Sequence, residues 1–400
     1  DAQRKGAVGA IVREFVNVDL PQVRVDDTRA ALGRLAAAWR RELPVKVIGI
    51  TGSNGKTTLK ELVAACVSRL APTIATAGNL NNEIGLPLML LRLRAEHDLA
   101  VLEMGANHIG EIRYLASLAQ PAVVTITNAG TAHLEGFGSV EGIARGKGEI
   151  LEGDPRPEIA VLNADDDYYS FWRSRVTDVD VVSFGLSERA DVWGDKIRDD
   201  AAGTRFRLHL PAETLAVYLP LAGEHNVRNA CAAAAIATAL RVPAEDIVAG
   251  LESVAPVSGR LQALPGVAGS TLYDDSYNAN PESVIAAARF LAPLEGRNWM
   301  VLGDMFELGA DAAAMHAEIG RQLRELGVER LYTLGELAAH AAAAFGPDAS
   351  AFESVDAMVD EILGTIDVSV NVVVKGSRGM RMERVVVALQ DSPAVAEGGC

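Results

Sequence analysis

From residue 45 to residue 128, short runs of β-branched and aliphatic residues alternate with longer stretches whose apolar positions recur every three or four residues. This switch of period, from strand to helix and back, is the mark of parallel βαβ units. It predicts strands over 45–50, 73–77, 99–103 and 123–127, each ending in or followed by Gly, Asn, Thr or an acidic residue. The carboxyl ends of such strands are where open α/β sheets bind ligands. After residue 162 the pattern gives strands over 181–184, 204–210 and 215–219 with no long helix between them, which predicts an antiparallel extension. An alanine-rich helix follows from about Asn226, and past residues 256–260 (PVSGR) the alternation restarts, with strands near 271–273, 299–303, 330–334 and 371–374. Residues 45–258 and 259–400 therefore read as two α/β units of ordinary domain size. Residues 1–44 offer two short strands, 7–12 and 22–25, and a helix over 29–40, too little for a core of their own, and are expected to be the last part of a further domain in a longer protein.

Charge narrows the partners. The chain has 37 basic and 53 acidic residues, a formal charge of −16, which disfavours binding to nucleic acid polymers or an anionic membrane surface. Any anionic ligand must be held by locally placed cations. Hydrophobic residues at 49% against 22% charged fit packed cores, not extended disorder. Cys66, Cys231 and Cys400 lie far apart and form no metal-like or disulfide pattern, which fits a reducing cytoplasm. The longest apolar stretch, residues 230–240, is too short to span a bilayer, so no membrane insertion is expected.

Chemistry first shows at residues 45–58 (VKVIGITGSNGKTT), an apolar strand, a glycine-containing turn, and Lys56-Thr57 opening a helix. Backbone N–H groups in such a turn cradle phosphate oxygens, a lysine neutralises them, and the hydroxyl can reach a magnesium ion. The strict pattern GxxxxGK[ST] fails, because its first glycine would fall on Ile50. Gly52 and Gly55 still permit close backbone approach. A plain strand-to-helix turn with a solvated lysine is the alternative.

The TGSNGKTT spacing resembles the Mur ligase superfamily, which includes the peptidoglycan amino-acid ligases and folylpolyglutamate synthases. Further blocks continue the likeness in order: AGNLNNEIG at 77–85, EMGANH at 103–108, HLEGFG at 133–138, KGEI at 147–150, GEHN at 223–226, DSYNANP at 275–281, GDMFELG at 303–309 and KGSR at 375–378. Their order and spacing resemble the branch that adds D-alanyl-D-alanine to UDP-N-acetylmuramoyl-tripeptide. The resemblance implies a central P-loop-type ATPase domain, a Rossmann-like C-terminal domain, and a stump (1–44) of an N-terminal domain for the UDP substrate. It also implies an ATP-dependent, magnesium-using monomer that makes an acyl phosphate and lets an amine displace it, in cytoplasmic cell-wall precursor synthesis.

On that resemblance, residues Thr51, Gly52, Ser53, Asn54, Gly55, Lys56, Thr57 and Thr58 hold the triphosphate, Asn226 meets adenine, Arg260 the phosphates and Asp275 the ribose, with Tyr277 and Asn280 beside the nucleotide. Thr57 and Glu103 are implied ligands of one magnesium; His133 and Lys147, the latter carbamylated by carbon dioxide, of a second. Asn79, Asn81 and Asn82 would face the UDP-linked substrate, and Asn278, Lys375, Ser377 and Arg378 the incoming dipeptide. Lys56, His133, Lys147 and Arg260 are the expected catalytic set. Each has a plainer reading: clustered Asn as turn formers, Asn226 as a helix N-cap, His133 as a structural histidine, Lys147 as an exposed lysine at a helix start, and residues 375–378 as a solvated basic turn. His316 and Asp304 sit in family-like blocks with no role beyond core hydrogen bonding. Two rivals remain open from the sequence. The third-residue-adding ligase carries a DNPR-type block that is absent here, and an inactive nucleotide-binding module would not need the metal-ligand candidates.

Overall fold

The computed structural model describes residues 2–200 and 203–391, so Cys400 lies outside it. Two sheets organise the chain. The first has nine strands in the order Thr214–Leu219, Thr204–His209, Val192–Asp199, Asp180–Gly185, Ile159–Asn163, Val123–Ile126, Lys46–Thr51, Leu99–Glu103, Thr73–Ala75. Pairing is parallel from Thr73–Ala75 as far as Val192–Asp199, and antiparallel only for the last two strands.

That differs from the sequence pattern in two places. Asp180–Gly185 runs parallel to Ile159–Asn163 and so belongs to the parallel sheet; antiparallel pairing starts only with Thr204–His209. The strands Ile159–Asn163 and Val192–Asp199 were not expected. Val192–Asp199 (VWGDKIRD) is hidden by its charges, which point outward near the sheet's end while Val192 and Gly194 face in.

Helices cover both faces of this sheet. On one lie Lys56–Val67, Glu224–Ala239 and Ala244–Glu252. Residues 230–237 of the second are all buried, and these mostly alanine side chains let the helix lie close against the sheet and Lys56–Val67. On the other face lie Glu111–Ala119, Val140–Gly148 and the N-terminal helix Thr28–Arg41, which Asp27 caps by accepting from the Arg29 and Ala30 N–H groups. This helix buries Ala36 and Ala37 in the shared core and gives its Trp39 Nε1–H to the Leu93 carbonyl.

The second sheet has six strands in the order Gln262–Pro265, Thr271–Asp275, Val370–Lys375, Arg297–Gly303, Arg330–Leu334, Ala349–Phe352; all are parallel except the first. The central strand Val370–Lys375 is buried throughout, as a strand covered by helices on both faces must be. The carboxyl ends of Thr271–Asp275 and Val370–Lys375 supply Asp275 and Lys375, which line the same cavity as Asn54 and Gly55 of the 52–55 turn.

Candidate active site

The strand Lys46–Thr51 ends in a turn, residues 52–55, that leads into the helix Lys56–Val67. Gly52 (φ 139°) and Gly55 (φ 81°) have backbone conformations that a side chain disfavours, and a Cβ on Gly52 would lie 1.9 Å from Thr127 Oγ1. The turn is thus pressed onto the neighbouring strand end. Gly52→Ala is expected to push it off Thr127, lowering ADP affinity by about tenfold or more in isothermal titration, the scale of a lost charge-assisted hydrogen bond.

Lys56 curls back over this turn, its Nζ donating to the Gly52 and Ser53 carbonyls at 2.7 and 3.0 Å. Lys56 keeps some exposed surface, but the atoms crowded round its ammonium lower its pKa; Glu103 opposes that shift and Arg260 adds to it. Beside it, buried Glu103 receives the Thr57 hydroxyl at 2.9 Å and the Asn81 amide at 2.8 Å. Asn81 therefore holds a carboxylate in place. Thr57 and Glu103 form an oxygen donor pair at the mouth of a phosphate turn, which suits magnesium, an ion that takes one or two protein oxygens and completes its shell with water and phosphate. Among the described residues no cluster of three or more His, Cys, Asp or Glu could cage a metal by itself.

The cleft between the two sheets holds two cavities, of about 390 and 470 Å³, whose linings share Asn54, Gly55, Arg260, Ser283 and Lys375. The smaller is also lined by Thr58, Asn128, His225, Asn226, Asn229, Asp275 and Glu282; the larger by Lys56, Thr57, Glu103, Asn82, His133, Tyr277, Asn278, Asn280 and Arg378. Arg260 lies 4.2 Å from the Tyr277 ring centroid and Arg378 5.7 Å from the same centroid, so one aromatic ring carries two guanidinium groups. Lys375, nearly fully buried, donates to Asp275 at 2.7 Å and to the Asn278 carbonyl at 2.9 Å. The expected ribose contact and the expected carboxylate contact are thus bonded to each other. Burial lowers the Lys375 pKa, against the opposing pull of Asp275.

Two contacts tie the sheets together over the turn. Asn280, N-cap of the helix Pro281–Leu291, gives its amide to Asn54 Oδ1 at 2.7 Å. Glu282 accepts from both the N–H and the hydroxyl of Thr131, each at 2.8 Å. Because Glu282 clamps a loop bordering the smaller cavity, Glu282→Ala is expected to weaken ADP binding about five- to tenfold by calorimetry, the lower end of a charged hydrogen-bond pair at an exposed site. Its melting temperature should stay within about 2 °C of the parent, as for surface substitutions in general.

Lys147 is not the exposed residue at a helix start that its neighbours suggest. It lies in the last turn of Val140–Gly148, fully buried, with Nζ 3.0 Å from the Ala106 carbonyl and 4.9 Å from the Phe137 ring centroid. Burial drives its pKa well below the ordinary lysine value; the Lys56 charge adds to this, and Glu111 and Glu149 oppose it. His133 is bonded through Nδ1 to the Glu307 carboxylate from the other sheet's loops. Burial lowers the His133 pKa, Glu307 works against that, and the Lys56 and Lys147 charges work with it.

Several expected residues stand elsewhere. Thr51 is buried, its hydroxyl donating to the Met104 carbonyl, and it anchors the strand end without lining either cavity. Asn79 is exposed and borders neither cavity, while Asn82 does line the larger one but spends its side-chain oxygen on the Ile84 and Gly85 N–H groups. Ser377 is buried and accepts the Phe306 N–H, so the geometry gives it to the core and not to a ligand. Asn226 is inside its helix, whose N-cap is Gly223, and its amide donates to the Ala222 carbonyl at the cavity wall. His225, Asn229, Glu282 and Thr131 were missed; His225 was visible inside the GEHN block, the others carried no signal of their own.

A mixed α/β pair built around a phosphate turn, with a ligand cleft between the sheets, defines a nucleotide-dependent enzyme of the Mur ligase class. Residues 50–237 match the Mur ligase middle domain and residues 259–378 the Mur ligase glutamate ligase domain. The chain is 41% identical over 396 residues to the UDP-N-acetylmuramoyl-tripeptide–D-alanyl-D-alanine ligase of Escherichia coli, covering 98% of this chain and 87% of that one. It is 34% identical to the Bacillus subtilis protein of the same name, over 93% of this chain and 81% of that one. Among solved structures, MurF from Acinetobacter baumannii superposes with a TM-score of 0.89 at 41% identity, over 94% and 83% of the two chains. MurF from Thermotoga maritima, in complex with ADP, gives 0.86 at 27% identity, over 97% and 89%. The chain belongs to the Mur ligase family.

Proposed function

We propose that this chain joins D-alanyl-D-alanine to UDP-N-acetylmuramoyl-tripeptide at the expense of ATP, as the relatives named for that reaction do. Residues 45–258 would be its ATP-binding domain, 259–400 its C-terminal domain and 1–44 the end of a UDP-substrate domain. The observation that carries the reading is one cleft in which Lys56, Thr57 and Glu103 from the first sheet meet Arg260, Lys375 and Arg378 from the second.

A carboxylate does not react with an amine unaided, because it is a poor electrophile with a poor leaving group. Passing the γ-phosphoryl group to that carboxylate gives an acyl phosphate, from which the amine expels phosphate. Such transfer is mostly positioning and charge neutralisation. Lys56 would release the turn's carbonyls and take the phosphate oxygens, with Arg260 adding a second cation from the opposite sheet. The smaller cavity would take adenosine, between Asn226 and the Glu282 clamp; the larger would take the reacting groups. Magnesium held by Thr57 and Glu103, and a second held by His133 and a carbamylated Lys147, would neutralise the triphosphate and polarise the transferred group. The Asn280 and Glu282 contacts hold the cleft closed, which excludes water from the acyl phosphate. Arg378, exposed at the rim, would take the dipeptide carboxylate.

The test is phosphate release from ATP with UDP-N-acetylmuramoyl-tripeptide. Release should require D-alanyl-D-alanine. Release with a single amino acid and not with the dipeptide would overturn the assignment.

A further inference from the structure

Asp304 and His316, which the sequence singles out without a role, and Ser377, which it assigns to the dipeptide, hold a single loop. Asp304 Oδ1 accepts the Ala338 N–H at 2.7 Å, and the Asp304 carbonyl accepts the Ser377 N–H at 3.0 Å. The fully buried His316 gives Nδ1–H to the Ala312 carbonyl at 2.7 Å, and its Nε2 accepts the Met305 N–H at 2.9 Å. Ser377 Oγ accepts the Phe306 N–H at 2.8 Å. Three successive backbone positions, 304 to 306, are thereby fixed from behind.

The next residue, Glu307, is left in the left-handed region at φ 64°, a conformation that costs a non-glycine residue free energy and persists only where its surroundings impose it. Its side chain is 49% exposed, so packing does not explain it. Both its polar groups reach across to the first sheet's loops: the Glu307 carbonyl accepts the Glu135 N–H at 3.1 Å, and the carboxylate bonds His133 Nδ1. His133 is itself left-handed, at φ 61°. Two strained residues from the two halves of the cleft therefore meet, and His133 also lines the larger cavity.

We propose that Glu307 is a positioning residue: it fixes the tautomer and orientation of His133, turning Nε2 to the catalytic cavity, and it does so only when the two halves are closed on each other. A carboxylate that accepts Nδ1–H leaves Nε2 as the lone-pair nitrogen, the arrangement that prepares an imidazole to act as a ligand or acceptor. Domain closure would then complete the site through a residue that touches neither substrate nor nucleotide. The kinetic part of this inference rests on the ligase reading above; the tautomer part does not.

The test uses the full chain with ¹⁵N-labelled histidine, the His133 signals being identified by their loss in His133→Gln. The expected parent spectrum shows His133 protonated on Nδ1, and Glu307→Ala should shift the signal toward the Nε2–H form. Glu307→Ala should also lower kcat by about 10- to 100-fold, the usual size for a partner of this kind, with KM for ATP within about twofold. Glu307→Gln, whose amide oxygen can still accept Nδ1–H, should keep most of the activity. Glu307→Gly relaxes the backbone; if the loss in the alanine variant were only structural, glycine would restore kcat, and it is expected not to. An unchanged His133 tautomer in Glu307→Ala, or an unchanged kcat in an active parent, would overturn the proposal. A parent that makes no product with the dipeptide would sink the ligase reading alone, leaving the tautomer measurement to decide the role of Glu307.

Discussion

Lys147→Met is expected to abolish ligation, by about a thousandfold or more, without loss of the fold, an effect on the scale of removing a principal transition-state charge. The argument starts from burial. An ammonium sealed from water, bonded to one carbonyl beside one aromatic ring, is poorly compensated even with the Glu111 and Glu149 charges opposing, and the shift of its pKa well below 10.5 is the consequence. A neutral amine is what carbon dioxide needs to form a carbamate, so the environment that penalises the cation would favour the carbamylation proposed above. The wild type in ¹³C-bicarbonate should show a carbamate carbon signal that Lys147→Met lacks. Stability gives an independent check with a definite sign. Between the depressed folded pKa and 10.5 the unfolded chain binds the extra proton, so in carbonate-free buffer stability rises with pH across that window and falls as pH drops through it. Lys147→Met should flatten that slope and melt no lower than the parent at neutral pH. A variant that ligates within tenfold of the parent would remove Lys147 from the reaction.

What the sequence made legible follows from how local each signal is. Lys56 and Thr57 open the helix after one strand and Glu103 ends its neighbour in the sheet, places that hydrophobic alternation locates, so the meeting of Thr57 and Glu103, seen at 2.9 Å, was readable from strand order and turn chemistry. The Lys375–Asp275 pair, 100 residues apart, was not: each residue was matched to a ligand separately, and only the parallel pairing of their strands shows that they bond each other. Glu282 in a first helical turn reads as an ordinary complement to the helix dipole until Thr131 is brought opposite it. Thr51 and Ser377 carry hydroxyls inside ligand-like blocks, yet their backbones are buried, and a buried hydroxyl must spend its hydrogen bonds on the protein. The strand Val192–Asp199 was lost because its polar residues outnumber its apolar ones.

Lys56→Met should lower kcat by about 10³-fold or more, while the melting temperature stays near the parent's, since a cation that neutralises a transferring phosphoryl group contributes on that scale. In a chain of net charge −16, the attraction that brings a triphosphate to the cleft cannot come from the protein's overall field. It must come from the few cations aimed inward, and Lys56 sits on the turn itself. Without nucleotide, its ammonium is held by the Gly52 and Ser53 carbonyls, a neutral pair that a phosphate oxygen outcompetes because the resulting bond is charge-assisted at both ends. Crowding lowers the Lys56 pKa, and an anionic nucleotide beside it raises it again, so binding should be accompanied by proton uptake at alkaline pH. Calorimetry of ADP binding in two buffers of different ionisation enthalpy measures that uptake, and Lys56→Met should abolish it. Lys56→Arg should rescue little, because the planar guanidinium cannot occupy the space between the two carbonyls as a compact ammonium does. If Lys56→Met released phosphate within tenfold of the parent, with proton uptake intact, charge neutralisation at the turn would have to be assigned to Arg260 instead.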